Sequence, residues 1–319
     1  MLVVGDGCMH GETIDYQREI ARLKKERKAI ILAHFYQVPE IQEIADFVGD
    51  SLFLAQKAAS TDAEVIVLAG VHFMAETAKI INPSKTILLP DLKAGCSLAD
   101  SCQPSDFSSY VKQHPDHAVV TYINCSAEIK ALSDIVCTSS NAEAVINSIP
   151  LDQPIIFAPD ENLGKYLEKV TGRKMLLWSG SCMVHEDFSL EKLLALHRSH
   201  PQAKVIAHPE SEQHILKIAT FIGSTKKLLD FVQSDDSKEY IVATEAGILH
   251  MMNALVPQKL FLPAPSYEEN TCACSECEYM KMNTLEKLYL CLRDQQPRIE
   301  LSDQLIRQAG IPIERMLEI

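Results

Sequence analysis

The run NTCACSECEYM, residues 270–280, sets Cys272, Cys274 and Cys277 within six positions. That is the density of a metal site, and a closed zinc or iron–sulfur site takes four protein ligands. No fourth Cys or His follows in register, so a local zinc knuckle built from these three lacks a ligand. Two more thiols stand far upstream, Cys96 in LKAGCSLAD and Cys182 in WSGSCMVHE. A second constellation is polar. His34, Tyr36, Tyr122, Asn124, His208 and Glu210 follow apolar runs directly. Taken singly, each reads as a satisfied buried polar group. Together they make a donor-rich set suited to carboxylates, with Glu210 as the candidate general acid or base. A third is built of hydroxyls: in GDSLFLAQ, TSSNAEAV and GSTKKLLD a Ser or Thr precedes a helical pattern. Helix-start N–H groups with a hydroxyl beside them bind phosphate or carboxylate, while the plainer reading of each is an N-cap.

The elements that must carry these residues are strands and helices in alternation. AIILAHFY, AEVIVLAG, TILLPD, AVVTYIN, QPIIFAPD, MLLWSG, AKVIAHPE, YIVATE and LFLPAP are apolar, non-alternating runs, with helical patterns such as AETAKIIN and SLEKLLALHRSH between them. That is an α/β protein with buried parallel sheets. The pattern repeats. From His34 to Tyr122 is 88 positions and from Tyr122 to His208 is 86; Ser51, Ser139 and Thr225 carry the same two offsets. Each repeat ends in a cysteine: Cys96, then Cys182, then Cys277 or a neighbour.

Functional groups of α/β units lie beyond the carboxyl ends of the strands. Three homologous α/β/α domains around a pseudo-threefold axis would aim their strand ends at one centre, where one thiolate from each could meet. The divisions expected are residues 1–105 with an N-terminal helix, 106–186, 187–277, and C-terminal helices over 278–319 packing back on the body. Three thiolates suit a [4Fe–4S] cluster with one iron left without a cysteine, and such an iron can act as a Lewis acid on a hydroxyl or carbonyl oxygen. His185 falls three residues after Cys182, beside that centre. Cys8, Cys102, Cys125, Cys137 and Cys291 read as inert packing.

The totals set bounds. The chain has 319 residues, 47% of them apolar, and a formal net charge of −13. Its pI is about 5.3. Nucleic acid and anionic membranes need basic surface and are excluded as main partners. The basic run RLKKERK ends an amphipathic helix that puts Ile20 and Leu23 on one face. No signal peptide and no apolar run near ~20 residues is present, so a cytoplasmic location is expected. Its ten cysteines then read as thiols or metal ligands rather than a disulfide framework.

With these residues laid out, AHFYQVPEIQEIADFVGDS, GVHFMAETAKIINPSKTILLPDLKAGCSLADSC, YINCSAEIKALSD, CTSSNA, GSCMVHE, AHPE, GST and CSECEYMKMNTLEKL resemble the quinolinate synthase family over nearly the whole chain. The resemblance implies a C–C bond-forming transferase of NAD biosynthesis. It condenses iminoaspartate (iminosuccinate), supplied by an aspartate-oxidising enzyme, with dihydroxyacetone phosphate to quinolinate, releasing phosphate and water. It implies one [4Fe–4S] cluster on Cys96, Cys182 and Cys277; the last matches because it directly precedes EYMKMNTL. It implies substrate contacts from His34, Ser51, the Tyr122–Ile123–Asn124 strand end, Ser139 or Ser140, the His208–Pro209–Glu210 stretch and Thr225. Tyr36 and His185 match cavity-lining positions. Glu210 takes the acid–base role, with Tyr36 and Tyr122 as proton carriers. Two other classes use parts of the same set: a cluster-dependent hydro-lyase for a small hydroxy acid, and an electron-transfer or cluster-sensing protein. His72 and Glu76 receive no role beyond packing.

Overall fold

The structure, a computed structural model, describes residues 14–267 and 275–319. Cys8, Cys272 and Cys274 lie outside the described residues. Among the described residues, twelve strands form three four-stranded sheets. The first holds β1 (Ala29–His34), β2 (Phe47–Gly49), β3 (Val65–Ala69) and β4 (Thr86–Leu88). The second holds β5 (Ala118–Tyr122), β6 (Ile135–Cys137), β7 (Ile155–Ala158) and β8 (Leu176–Leu177). The third holds β9 (Lys204–Ala207), β10 (Phe221–Ile222), β11 (Glu239–Ala243) and β12 (Leu260–Pro263). Every pairing is parallel. The order is the same each time: β2-β1-β3-β4, β6-β5-β7-β8 and β10-β9-β11-β12. The register repeats too, since Ala33 pairs with Ala69, Thr121 with Ala158 and Ala207 with Ala243.

The nine apolar runs are the first, third and fourth strands of each sheet. The strands β2, β6 and β10, one outer strand of each sheet, were not expected as strands. They span two or three residues each and, unlike the equally short β4 and β8, sit directly before helix starts in DFVGDS, DIVCTSS and TFIGST rather than in runs read as strands. Both sheet faces are covered, as parallel sheets require. Ile31, Ala33 and Val67 pack with Ile20 and Leu23 of the helix Tyr16–Glu26 on one side of the first sheet. Leu32 and Leu68 on its other side join Val120 and Phe157 of the second sheet and Ile313 of the helix Asp303–Leu317 in one continuous cluster. The third sheet has its own clusters, around Ile206 and Tyr240 on one face and Val205 and Ile241 on the other. The C-terminal helix thus mortises the first two units together and leaves the strand ends to meet the third.

Candidate active site

The strand ends open into one cavity. Cys96, Cys182 and Cys277 all line it, and each occupies the same local position. Each is the N-cap of a one-turn helix: Ser97–Asp100, Met183–Glu186 and Glu278–Lys281. The chain before each is pinned by the same backbone bond. The N–H of His72 donates to Ala94 O (2.7 Å), that of Glu161 to Gly180 O (2.8 Å) and that of Ala246 to Ser275 O (3.0 Å). In every case the accepting carbonyl lies two residues before the cysteine. Burial pushes the thiols up, Cys96 to about 12, Cys277 to about 11 and Cys182 well above the ordinary thiol value. The N–H groups of Ala99, His185 and Met280, three residues on in each case, pull the other way without closing a formal cap bond. Thiols so placed stay protonated until a cation replaces the proton. Cys102, Cys125, Cys137 and Cys291 are packed in the hydrophobic core.

Opposite the thiols stands Glu210, 3% exposed. Its Oε1 accepts from Tyr122 OH at 2.6 Å, and its Oε2 lies 3.3 Å from His185 Nδ1. His208 Nδ1 is 3.5 Å from Oε1. Burial opposes the charged form of Glu210, yet the two imidazoles and the Tyr122 hydroxyl outweigh it and hold the carboxyl below the ordinary range. Tyr122 is driven up by burial and by that carboxylate. His34 and His208 are both lowered to about 3, burial being the main cause, so each presents a neutral ring. The Tyr36 N–H donates to His34 Nδ1 at 3.2 Å, which leaves the ring proton on Nε2. His208 Nε2 is 3.2 Å from Ser139 Oγ. Cys182, His185 and Glu210 hold donor atoms within 4.8 Å of one another, so a metal ion could also be held there.

The hydroxyl-bearing helix starts differ from expectation. Ser51 and Thr225 are first helical residues, and the caps are Asp50 and Ser224, accepting from Phe53 N (2.9 Å) and Lys227 N (3.3 Å). In the middle unit the helix starts only at Ala142, because Asn141 Oδ1 turns back to accept from Thr138 N at 2.8 Å. Ser139 lines the cavity. Ser140 instead donates to Asp50 Oδ2 at 2.6 Å and lies 2.8 Å from Ser224 Oγ, a knot that ties the three units. Ser51, Asn124, His185 and Thr225 also line the cavity, and Asn124 Oδ1 is buried without a partner. Ile123 and Pro209 are buried, and neither side chain lines the cavity.

Sequence reasoning passed over Thr244, Glu245, Lys281 and Asp50. Glu245 lines the cavity, 1% exposed, and its carboxylate accepts from Lys281 Nζ (2.9 Å), Cys277 N (3.1 Å) and Gly247 N (2.7 Å). The signal is in the sequence, since Thr244 and Glu245 end the run YIVATE, the third strand of their unit. His72 and Glu76, left as packing, form a 3.5 Å pair, and Glu76 Oε2 accepts from Ala127 N of the neighbouring unit at 2.9 Å.

An α/β protein that turns a buried acid–base set and three capping thiols into one cavity is built as an enzyme with a metal-capable centre. The chain belongs to the quinolinate synthetase A family: the model described as "Quinolinate synthetase A protein" matches residues 18–318. Among curated relatives, the "Quinolinate synthase" of Microcystis aeruginosa is 60% identical over 300 residues, covering 94% of this chain and 93% of its own. That of Chloroherpeton thalassium is 60% identical over 306 residues, 96% and 95% of the two chains. A solved reductase from Plasmodium falciparum, of E-1-hydroxy-2-methyl-but-2-enyl-4-diphosphate, covers 88% of this chain and 93% of its own at a TM-score of 0.31 and 10% identity; that likeness carries no argument.

Proposed function

We propose that this chain is a quinolinate synthase that condenses iminoaspartate with dihydroxyacetone phosphate and releases phosphate and water. The observation that carries this reading is the equivalence of Cys96, Cys182 and Cys277, each an N-cap on a one-turn helix at the wall of one cavity, in a member of this family. The donor set fits a [4Fe–4S] cluster: three soft thiol ligands, and no fourth cysteine among the described residues that line the cavity. When bound, the cluster supplies a Lewis-acidic iron. The remaining work falls to side chains. Neutral His34 and His208 and the Asn124 side-chain N–H hold the carboxylates. Ser51 and Thr225 with their helix-start N–H groups, and the Ser139 hydroxyl, take the phosphate. Glu210 draws a proton from carbon and returns it to a leaving hydroxyl, with Tyr122 as its hydrogen-bonded partner.

Three homologous domains, 1–105, 106–186 and 187–277, set about a pseudo-threefold axis, with 278–319 packed back on them, account for the repeated sheet order. A cytoplasmic location beside an aspartate-oxidising enzyme suits an unstable imine substrate; no helix among the described residues is long and apolar enough to cross a membrane. Anaerobically purified protein should form quinolinate only when iminoaspartate and dihydroxyacetone phosphate are both supplied. Equal turnover with unphosphorylated dihydroxyacetone would overturn the phosphate assignment, and no quinolinate at all would overturn the reading.

A further inference from the structure

Cys182, His185 and Glu210 differ from the other cavity groups in spacing: their donor atoms lie within 4.8 Å of one another. Two donors bound to one zinc ion at about 2.0–2.3 Å stand at most about 4.6 Å apart, so a small side-chain shift closes this trio on a single ion. No other trio of Cys, His, Asp or Glu among the described residues is that compact. Cys96, Cys182 and Cys277 are spread too widely to share one ion. The cavity wall therefore carries two spacings, a wide one of three thiols and a tight one of mixed donors, and Cys182 belongs to both.

The tight trio is built as a site. His185 is 2% exposed, and its Nδ1 is buried without a hydrogen-bond partner. Glu210 Oε2 lies 3.3 Å from that nitrogen, close to it but not aligned with it, as two ligands aimed at a common point are. Each donor is also supported from behind. His185 Nε2 lies 3.0 Å from Thr244 Oγ1, which accepts the ring N–H when Nδ1 ligates. Glu210 Oε1 accepts from Tyr122 OH at 2.6 Å, which leaves Oε2 free. The backbone N–H of His185 favours the Cys182 thiolate. Partners of this kind orient metal ligands and tune them. The charges close as well: a dication with one thiolate and one carboxylate is neutral, and burial penalises any uncompensated charge.

We propose that, before a cluster is assembled, the chain binds one zinc-class divalent cation between Cys182 Sγ, His185 Nδ1 and Glu210 Oε2, and that this ion shuts the cluster out. Zinc takes a mixed S, N and O set in a tetrahedral site, with the fourth position left for water. It binds such donors more tightly than ferrous iron does. As it binds, the Cys182 thiol releases its proton to solvent, and no electrons move. The ion site stands on the spacing of the trio. The exclusion rests on the cluster reading of the proposed function, because ion and cluster both demand Cys182. Bound zinc also takes Glu210 out of proton transfer, so a zinc-loaded chain is inactive on two counts.

Cobalt(II) reports such a site by its colour. The full-length chain, purified anaerobically and freed of iron, should bind one Co²⁺ with the visible bands of a tetrahedral site and a charge-transfer band of single-thiolate strength. The Cys96→Ser/Cys277→Ser double variant should keep both features, and Cys182→Ser should lose the charge-transfer band. His185→Phe and Glu210→Gln should each weaken binding by at least ~10-fold, the lower end of what losing even a partner behind a ligand costs. One equivalent of zinc added before iron and sulfide should block cluster assembly in the wild type and leave it intact in Glu210→Gln. A three-thiolate band that falls in the double variant, or no cobalt uptake, would overturn the ion site. Full cluster assembly in the zinc-loaded wild type would overturn the exclusion. If the zinc-free wild type builds no cluster from iron and sulfide, the cluster reading falls with the exclusion, and the cobalt titration still decides the ion site.

Discussion

Glu210 sits where the hydrogen bonds converge, and its role can be separated from its bulk. Glu210→Gln keeps the side-chain shape and the acceptor for Tyr122 while abolishing proton transfer. It should retain the cluster chromophore and lose roughly 10²–10⁴-fold in kcat; a near-normal rate would move the acid–base role to a tyrosine. At this scale the sequence was informative wherever a polar residue ended the first strand of a repeat. His34, Tyr36, Tyr122, Asn124, His208 and Glu210 all line the cavity for that reason. Thr244 and Glu245 escaped because they end a third strand, and Asp50 because a helix-start carboxylate reads as a cap. Repeat spacing favours Ser139, whereas Ser140 lies nearer the helix start. Only the knot of Ser140 with Asp50 and Ser224 separates them.

Among the elements, the helix His72–Ile81 and the helix Ala127–Ala131 join the first two units through charge. Lys130 is fully buried and Glu76 nearly so. The charge of Lys130 offsets the burial that raises the Glu76 carboxyl, and its ammonium caps Cys125 O. Removing one member strands the other. Lys130→Met should therefore destabilise the protein by about 1–3 kcal/mol, by leaving Cys125 O without its donor and Glu76 without that charge, while the paired Glu76→Gln/Lys130→Met change should regain part of that loss. Urea unfolding of the single and double variants tests this, and a double variant as weak as the single would deny the pairing. The loop held here, Cys125–Ala127, follows Asn124 directly, so the stretch GVHFMAETAKI, specific in sequence yet without assigned chemistry, acts as a brace for the cavity. Long strands and amphipathic helices were legible from apolar periodicity. The outer strands β2, β6 and β10 were not, since their two or three residues sit directly before helix starts and are fixed by pairing with a neighbour rather than by any local pattern.

For the molecule as a whole, three sheets with one strand order and three cysteines with one local geometry make a single statement. The repeat offsets of 88 and 86 positions announced the sheets, and the equal spacing from pinned carbonyl to cysteine gives Cys277 the same local position as Cys96 and Cys182. The choice of Cys277 rested on resemblance alone in the sequence, because CACSEC offers three thiols and a spacing of 95 from Cys182 breaks the period. The direct measurement is iron and labile sulfide per chain, with Mössbauer spectra, on anaerobically reconstituted wild type and single Cys→Ser variants. The wild type should hold about four irons as one [4Fe–4S] cluster. Cys96→Ser, Cys182→Ser and Cys277→Ser should each lose the cluster, whereas Cys102→Ser, Cys125→Ser and Cys274→Ser should keep it. A wild-type iron content in Cys277→Ser, together with its loss in Cys274→Ser, would contradict the one-thiol-per-unit account.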